Sequence, residues 1–360
     1  MAKTIGWALI GSGPVSEKFA RGLEAAAHDA KVACVASRRR ENAARLAESL
    51  GAEVAEDYAA AVAMPGVDAV YIATPPALHE DHAKLAIAAG KAVLIEKPFA
   101  LDAEAATRIA DAAKAANVFC MEAMWTRFMP LIAEVQKQIA DGKIGEIRQL
   151  QGQFCGADVP RDSVSLFDPA AGGGALMHRG IYPLSLARAF CGPVDEMQAM
   201  ARIGSTAVDE EVMLTLRHAG GALSNIRASL RSTGPNMLVI QGERGTIRLE
   251  APIYRPPSAR LFRIKPREGG TGGGGKLAGL KENATVQALW QRFGGAAKAL
   301  RPGGSAINAP YAGNGYGHEA DAVAEALEKG VTAHQTLPLE ETVEIMKLVD
   351  QAKATWSTGA

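Results

Sequence analysis

The sequence predicts an α/β chain in which a doubly wound parallel sheet is followed by an α+β domain with an open, mostly antiparallel sheet. Over residues 1–122, short apolar runs alternate with amphipathic stretches, which is the pattern of parallel βαβ units with helices on both sheet faces. Beyond that point, several strand-like runs follow one another with only turns between them, and this indicates antiparallel pairing. We therefore expect two domains, residues 1–122 and residues 123–360.

The first domain is predicted to alternate strands with helices. The strands are buried runs rich in Val, Ile and Ala, at residues 4–10, 32–36, 69–73, 92–95 and 118–121. The helices lie between them, at residues 15–27, 41–50, 78–89 and 103–116. Asp102 directly precedes the last helix and is predicted to cap it, because its carboxylate can accept a hydrogen bond from a first-turn amide.

The second domain is predicted to begin with a helix, a strand and a helix, at residues 131–140, 147–154 and 180–190. Glycine-rich turns separate the strands that follow, at residues 197–203, 211–217, 223–230, 236–241 and 246–250. Two closing helices, residues 316–328 and 340–354, can pack back on the first domain. The glycine cluster 269–275 and the stretch 277–300 are interpreted as a surface insertion in preference to a lid or a subunit contact.

Composition and charge exclude several classes of protein. The 360 residues carry 39 Lys and Arg against 39 Asp and Glu, so no net field attracts nucleic acid or an anionic membrane. The four cysteines lack the spacing of metal ligands, and we expect free thiols in a reducing compartment and no metal site. No apolar signal core precedes the first strand, and no segment approaches membrane-spanning length. A small-molecule ligand and a cytoplasmic location are therefore expected.

A glycine-rich turn, Gly11-Ser12-Gly13-Pro14-Val15, joins the first strand to the first helix. The first glycine permits a tight turn, the second lets the backbone approach a pyrophosphate, and the helix N-terminus supplies amide donors and positive potential. Ser16 is small enough for close helix–strand packing at the third position of the motif. Because the turn stands in the strand–loop–helix context that the motif requires, it predicts dinucleotide binding by a Rossmann domain.

The end of the second strand predicts which dinucleotide is bound. An NAD site needs a carboxylate there for the ribose hydroxyls, whereas this chain has Ser37 and Arg38. A hydroxyl and a guanidinium suit a 2′-phosphate through charge-assisted hydrogen bonds. The following Arg39 and Arg40 are explained equally well as a solvated basic helix start. We therefore expect NADP as the cofactor.

Several short motifs give the chain a family resemblance. Glu96-Lys97-Pro98 follows a predicted strand, and Thr74-Pro75 and His79 stand upstream of it. Together with the glycine turn, these motifs resemble the glucose-fructose oxidoreductase/inositol dehydrogenase family, known as Gfo/Idh/MocA. The segments 121–128, 172–176 and 180–182 are similar to the branch that holds dimeric dihydrodiol dehydrogenase and NADP-dependent D-xylose and other aldose dehydrogenases.

The resemblance implies that the cofactor and the substrate meet between the two domains. It implies cofactor contacts for Thr74, Pro75 and Glu96. His79 is assigned to the cofactor as well, with a helix start or a satisfied surface histidine as the alternative. Lys97 is implied to touch both the cofactor and the substrate.

On the substrate side, the resemblance implies that Tyr182 is the catalytic partner of Lys97. Trp125 and Phe154 fall on pocket aromatics, with the ordinary core as the alternative, and Arg127 is assigned to the pocket with them. Subunits are implied to form homodimers through the faces of their open sheets, and pairing of dimers into tetramers stays open.

One position departs from the family pattern. Four residues before Tyr182 the family usually has Asp, and this chain has His178. A carboxylate would bind sugar hydroxyls and partner the lysine, whereas a histidine can bind hydroxyls but reverses the charge when it is protonated. We therefore assign His178 to the catalytic site as a substrate contact, and its presence bears on which substrate is used.

The predicted chemistry is hydride transfer between a nicotinamide and a hydroxyl-bearing carbon. Oxidation needs a base that takes the hydroxyl proton, and reduction needs an acid. Lys97 can polarise the substrate oxygen and lower the pKa of the Tyr182 phenol, so that Tyr182 serves as the base. His178 is the competing base, and both assignments stay open.

The predicted substrate is a sugar, oxidised as an aldose, or a cyclic trans-diol, and sugar is favoured because aromatic platforms suit pyranose rings. The same family offers two alternatives, an NAD-dependent glycoside-cleaving enzyme and a non-catalytic regulator that senses a dinucleotide. The first alternative predicts a tightly retained NAD and more polar pocket residues than the segment 124–128 suggests. Intact Lys97 and Tyr182 disfavour the second, for which His178 is weak support.

Overall fold

Two β-sheets organise the chain, and the computed structural model describes residues 3–158, 165–264, 284–285, 288 and 303–357. The first sheet has six parallel strands in the order β3-β2-β1-β4-β5-β6. The connection reverses direction between β1 and β4, and ligands of such sheets bind beside that point, at the carboxyl ends of the strands. The strands are β1 Ile5–Ile10, β2 Ala30–Ala36, β3 Glu53–Val54, β4 Ala69–Ile72, β5 Ala92–Glu96 and β6 Cys120–Ala123.

Helices in the connections between these strands cover the first sheet. They are α1 Pro14–Leu23, α2 Arg40–Leu50, α3 Tyr58–Ala63, α4 His79–Ala88 and α5 Ala103–Ala116. The strands β1, β4 and β5 are buried along their whole length, as expected of strands that are covered on both faces. Asp102 is confirmed as the cap of α5, since its carboxylate accepts a hydrogen bond of 2.7 Å from the backbone N of Ala105.

The second sheet has eight strands in the order β14-β13-β12-β11-β7-β10-β9-β8. The pair β7–β10 is parallel and the other neighbouring pairs are antiparallel, which confirms the predicted fold class. The strands are β7 Ile147–Cys155, β8 Val194–Ile203, β9 Asp209–His218, β10 Leu223–Ser229, β11 Leu238–Gly242, β12 Gly245–Leu249, β13 Ala259–Arg263 and β14 Ser305–Ile307.

Four further helices follow the first sheet in the described part of the chain. They are α6 Pro130–Ala140, α7 Ile181–Cys191, α8 Gly317–Lys329 and α9 Leu339–Ser357. Asp321 on α8 accepts hydrogen bonds from the backbone N of Ala27 and of His28, at 3.0 and 2.8 Å, just beyond α1. Asp350 on α9 accepts a 2.7 Å hydrogen bond from the backbone N of Ala103 at the start of α5. The two closing helices therefore contact elements of the first 122 residues, α8 just beyond α1 and α9 at the start of α5.

The structure also contains elements that hydrophobic periodicity did not predict. The strands β3, β13 and β14 are five residues long or shorter, and α3 is a six-residue helix capped by the carboxylate of Asp57. The first helix ends at Leu23 instead of residue 27, where Asp321 binds the free backbone amides. The glycine cluster 269–275 and most of the stretch 277–300 lie outside the described residues. In the described part of the chain, no helix has the length and apolar character needed to cross a bilayer.

Candidate active site

The glycine turn after β1 has the backbone geometry of a phosphate cradle. Gly11 has φ +112°, and a Cβ at this position would lie 2.6 Å from the carbonyl oxygen of Ala73, so only glycine fits. Gly13 is the N-cap of α1, where a Cβ would meet open space and no side chain caps the helix. Ser16 is buried and donates a 2.9 Å hydrogen bond to the carbonyl of Gly11, which fixes the turn. The uncapped amides of the first helical turn fit the pyrophosphate of a dinucleotide.

The carboxyl end of β2 carries Ser37 and Arg38 at the edge of the same crevice. Ser37 is half-buried and Arg38 is exposed. The backbone N of Arg38 donates a 3.1 Å hydrogen bond to the hydroxyl of Tyr58 on α3, so the helix that periodicity missed holds this corner in place. An exposed guanidinium beside a hydroxyl fits a 2′-phosphate.

His79 joins the loops that follow β4 and β5. Its side chain is completely buried, and Nε2 lies 2.8 Å from the carbonyl oxygen of Thr74. On the other side of the ring, Nδ1 lies 3.1 Å from the carbonyl oxygen of Pro98. Burial lowers the pKa of His79 to about 4. Neither ring nitrogen is open to a cofactor in this conformation, so the structure gives His79 a positioning role between the Thr74-Pro75 turn and the Lys97-Pro98 turn.

Lys97 follows β5 at the centre of the site. Its backbone N donates a 3.1 Å hydrogen bond to Oε2 of Glu96, and the hydroxyl of Tyr71 donates to Oε1 of the same carboxylate. Its Nζ donates a 3.4 Å hydrogen bond to the carbonyl of His178 and lies 5.2 Å from the centre of the Tyr182 ring. Burial lowers the pKa of Lys97, and the carboxylate of Glu96 opposes this shift.

Tyr182 on α7 is surrounded by aromatic side chains. The Phe154 ring lies edge-on at 5.6 Å, and the indole Nε1 of Trp125 donates a 3.5 Å hydrogen bond to the Tyr182 hydroxyl. Burial, with the nearby charge of Glu96 as the next cause, raises the pKa of Tyr182. We expected Lys97 to lower this pKa. The structure gives the opposite direction, because the phenol is desolvated while the ammonium lies over the ring.

His178 lies in a single π-helical turn, Leu176–Gly180, directly before α7. Such turns are frequent at functional sites. Its backbone oxygen accepts the Lys97 hydrogen bond, and its buried Nε2 has no hydrogen-bond partner among the described residues. Burial lowers the pKa of His178 to about 3, and the charges of Lys97 and Arg179 add to the shift. The imidazole is therefore neutral near pH 7, with one free ring nitrogen.

Arg127 does not belong to the pocket to which we assigned it. Its guanidinium is buried and pairs with Glu341 on α9, with Nη1 2.6 Å from Oε1. The same nitrogen donates to the carbonyl of Ser185 at 3.1 Å, and Nη2 donates to that of Thr336 at 2.6 Å. The residue therefore ties α7 and α9 to the turn after β6.

The structure adds three residues that the sequence did not single out. Tyr316 stacks on the indole of Trp125, with centroids 4.5 Å apart, and Tyr254 lies 5.2 Å from Phe154. Tyr254 and Tyr316 stand beside turns rich in Gly or Pro, where the sequence has no hydrophobic periodicity that would predict their positions. Asp209 accepts a 2.7 Å hydrogen bond from the backbone N of Leu176, and burial raises its pKa to about 6. It anchors the π-helical turn.

Comparisons with known proteins agree with this architecture. Residues 5–124 match the family model described as "Oxidoreductase family, NAD-binding Rossmann fold", and residues 132–248 match the "GFO/IDH/MocA C-terminal domain". The D-xylose 1-dehydrogenase (NADP(+)) of Hypocrea jecorina is 29% identical, over 97% of this chain and 91% of that protein. The scyllo-inositol 2-dehydrogenase (NADP(+)) of Bacillus subtilis is 34% identical, over 71% of this chain and 79% of that protein.

Among solved structures, levoglucosan dehydrogenase in complex with NADH and L-sorbose is similar in fold. The TM-score is 0.80 at 23% identity, and the match covers 99% of this chain and 97% of that one. A match at this identity supports the arrangement of the two sheets and carries no argument about the ligand.

Proposed function

The chain belongs to the Gfo/Idh/MocA oxidoreductase family, and we propose that it is an NADP-dependent dehydrogenase acting on a hydroxyl-bearing carbon of a sugar or a cyclic trans-diol. The observation that carries the proposal is the position of the Lys97 ammonium, 5.2 Å from the ring centre of Tyr182 and beside the carboxyl edge of the first sheet. The relatives named as D-xylose and scyllo-inositol dehydrogenases, both NADP(+) enzymes by name, support this substrate class and cofactor.

The residues present fit the cofactor. We assign the pyrophosphate to the backbone of residues 11–15, where Gly11 and Gly13 leave room and the start of α1 is uncapped. We assign the 2′-phosphate to Ser37 and Arg38. The turn at Thr74 and Pro75 and the end of β5 at Glu96 border the same crevice, and we assign the nicotinamide to them.

Lys97 is the group that we propose takes the substrate proton. Bound NADP⁺ would supply the chemistry of accepting a hydride from the carbinol carbon, and the hydroxyl proton must then pass to the protein. Burial lowers the pKa of Lys97 toward neutral pH, whereas it raises the pKa of Tyr182 further above neutral pH. In this account the neutral amine accepts the proton, and the Tyr182 phenol donates a hydrogen bond to the substrate oxygen.

His178 supports the proposal as a substrate contact. Its Nε2 is buried and lacks a hydrogen-bond partner within the described part of the chain. A hydrogen bond with a substrate hydroxyl would remove the free-energy cost of leaving this buried atom unpaired. A pKa of about 3 makes the imidazole a weak base, which favours Lys97 over His178 as the proton acceptor.

The proposal is tested by nicotinamide absorbance. The protein is mixed with NADP⁺, and separately with NAD⁺, and a panel of aldoses, inositols and cyclic trans-diols. We expect reduced cofactor to form with at least one sugar or diol, faster with NADP⁺ than with NAD⁺. Absence of reduced cofactor across the whole panel, with NADP⁺ bound by calorimetry, contradicts the proposal.

We also propose that the protein is a cytoplasmic homodimer. Met200 on β8 pairs across to Met213 on β9, and their side chains are 79% and 52% exposed on the outer face of the second sheet. Exposed apolar side chains in one row are typical of a surface that another subunit covers. The four cysteines are free, which supports a reducing compartment.

A further inference from the structure

A cleft of about 480 Å³ opens between α1 and the loops that precede α8. Both domains contribute to its walls, since Trp125 and Tyr254 belong to the second domain and α1 to the first. The lining residues are Lys18, Arg21, Trp125, Tyr254, Arg255, Gly313, Asn314 and Tyr316. We call this space the α1 cleft.

The aromatic wall of the α1 cleft reaches the catalytic tyrosine. The indole of Trp125 lines the cleft and also donates the 3.5 Å hydrogen bond to the hydroxyl of Tyr182. Tyr316 stacks on this indole at 4.5 Å with an angle of 12° between the rings, and Tyr254 lies 6.0 Å from it. The indole of Trp125 therefore lies between the Tyr182 hydroxyl and the cleft, and a group carried by a sugar at Tyr182 would reach the cleft past the edge of this one side chain.

The rim of the α1 cleft is cationic. Lys18 and Arg21 stand three residues apart on α1, so their side chains leave the same side of the helix, and Arg255 stands on the facing wall. All three are exposed, and the lining includes no carboxylate among the residues that the structure describes. Arg21 pairs with Glu17, one helical turn earlier, so the charge of Arg21 is partly neutralised. Lys18 and Arg255 are therefore expected to attract an anionic ligand more strongly than Arg21 does.

The cleft is held in shape by contacts between α1 and the loop before α8. The side-chain amide of Asn314 donates a 2.7 Å hydrogen bond to the carbonyl oxygen of Lys18. Gly315 has φ +97°, and a Cβ there would lie 3.2 Å from the indole of Trp125. The loop thus passes close against both walls, and the space between them is preformed.

We propose that the α1 cleft binds an anionic group of the substrate, a phosphate or a carboxylate that the sugar carries away from the oxidised carbon. This inference rests on the proposed function and narrows its substrate class to anionic sugars. The pyrophosphate of the cofactor is assigned to the amino end of α1, whereas Lys18 and Arg21 lie on later turns and face residues of the second domain. The exposed cations at the rim would hold the anionic group, while the buried aromatic side chains form the wall between the cleft and Tyr182.

The test compares glucose, glucose 6-phosphate and glucuronate as ligands of the NADP⁺-saturated protein, by calorimetry and by turnover. We expect both anionic sugars, or one of them, to bind at least tenfold more tightly than glucose. The double variant Lys18→Met/Arg255→Met should reduce this preference by roughly 5- to 30-fold, the range for two partly exposed charged contacts. A preference confined to one anionic sugar distinguishes a phosphate site from a carboxylate site.

A matched control removes two cations elsewhere. Lys31 on β2 and Arg263 on β13 are exposed and do not line the α1 cleft, so Lys31→Met/Arg263→Met should leave the preference unchanged. The inference is overturned if neutral and anionic sugars bind equally. It is also overturned if the cleft variant weakens NADP⁺ binding while the sugar preference survives. Tight binding of an anionic sugar with no reduced cofactor formed from any sugar would contradict the proposed function instead.

Discussion

Lys97 lies between the carboxylate of Glu96, the preceding residue, and the ring of Tyr182 on α7. Burial acts on each group of this cluster in the direction that removes its charge: it lowers the pKa of Lys97 and His178 and raises that of Tyr182 and Glu96. Among the three side chains proposed to contact the substrate, Lys97, His178 and Tyr182, only the lysine has a pKa that moves toward neutrality, which supports its proposed role as the proton acceptor.

The proposed preference for NADP⁺ rests on Arg38. We expect Arg38→Ala to weaken NADP⁺ binding by roughly 10- to 100-fold, because a charge-assisted hydrogen bond to the 2′-phosphate is lost. NAD⁺ binding should change less than about twofold, since that cofactor lacks the phosphate. Calorimetric titration of both proteins with both cofactors measures the two effects. Equal affinity of the parent protein for NADP⁺ and NAD⁺ would rule out the assignment.

His178 permits a test of how neighbouring charge sets the pKa of Lys97. In His178→Asp, a carboxylate replaces a neutral imidazole beside the ammonium, so the pKa of Lys97 should rise. The rate of alcohol oxidation should then reach its plateau at higher pH than in the parent enzyme. The isosteric control His178→Asn adds no charge and should leave the midpoint close to that of the parent. The assignment fails if the pH profile moves equally in both variants.

Glu319 on α8 is fully buried, and neither carboxylate oxygen has a partner among the described residues. Burial raises its pKa well above the usual value, with Glu96 and Glu122 as neighbouring charges. A raised pKa in the folded state means that stability present below about pH 4.5 is lost as pH rises toward that pKa. The loss has a limiting slope of about 1.4 kcal/mol per pH unit.

Substitution of Glu319 should remove its share of the pH dependence of stability. We expect denaturant unfolding of the parent protein to show stability falling from pH 5 to pH 8 relative to Glu319→Gln. The control Glu48→Gln, at an exposed position on α2, should follow the parent curve. Parallel curves for the parent and Glu319→Gln would show that Glu319 is not a source of the slope.

At the scale of elements, buried and exposed side chains alternate along the strands of the second sheet, so that one face of the sheet belongs to the core and the other is its outer face. On β9, Val212, Leu214 and Leu216 are buried, while Met213 between them is exposed. In register with Met213 stand Met200 on β8 and Arg227 on β10. This period-two pattern places one apolar set in the core and leaves Met200 and Met213 exposed on the outer face, where we propose that a second subunit packs.

The proposed dimer depends on this exposed row. The double variant Met200→Lys/Met213→Lys places four charges in a symmetric interface and should convert the dimer to a monomer at micromolar concentration. Val331→Lys, at an exposed apolar position near the end of α8, is the matched control and should stay dimeric. Light scattering of the three proteins measures the change. A parent protein that is already monomeric would refute the dimer.

At the scale of the whole molecule, features that depend on local sequence were predictable. The glycine turn, the cap at Asp102 and the placement of Lys97 after a buried strand follow from neighbouring residues. Contacts between distant segments were not predictable in the same way. Arg127 was assigned to the pocket with the aromatic residues of the family resemblance. Its partner Glu341 lies 214 residues further along the chain, so no local pattern indicated the ion pair. The strand β3 has two residues, too few for a period to be recognised.

In the active site, too, local features were predictable from the sequence, whereas properties that depend on contacts between distant segments were not. Sequence indicated which residues lie near one another, and the structure brings Lys97, His178 and Tyr182 together. Sequence could not give the direction in which the pKa of Tyr182 moves, because that depends on burial among Phe154, Trp125 and Tyr254, which come from three segments. Tyr316 was expected only as a helix start, yet its ring stacks on the indole of Trp125.

The central claim is that Lys97 carries the proton transfer of an NADP-linked oxidation, and one comparison tests it most directly. Turnover and NADP⁺ affinity are measured for the parent enzyme, Lys97→Met and Tyr182→Phe on the best substrate of the panel. We predict that Lys97→Met loses roughly 10³- to 10⁴-fold in kcat and binds NADP⁺ within a few-fold of the parent, and that Tyr182→Phe loses roughly 10²-fold. Turnover in Lys97→Met within tenfold of the parent, with the same dependence on pH, would contradict the account.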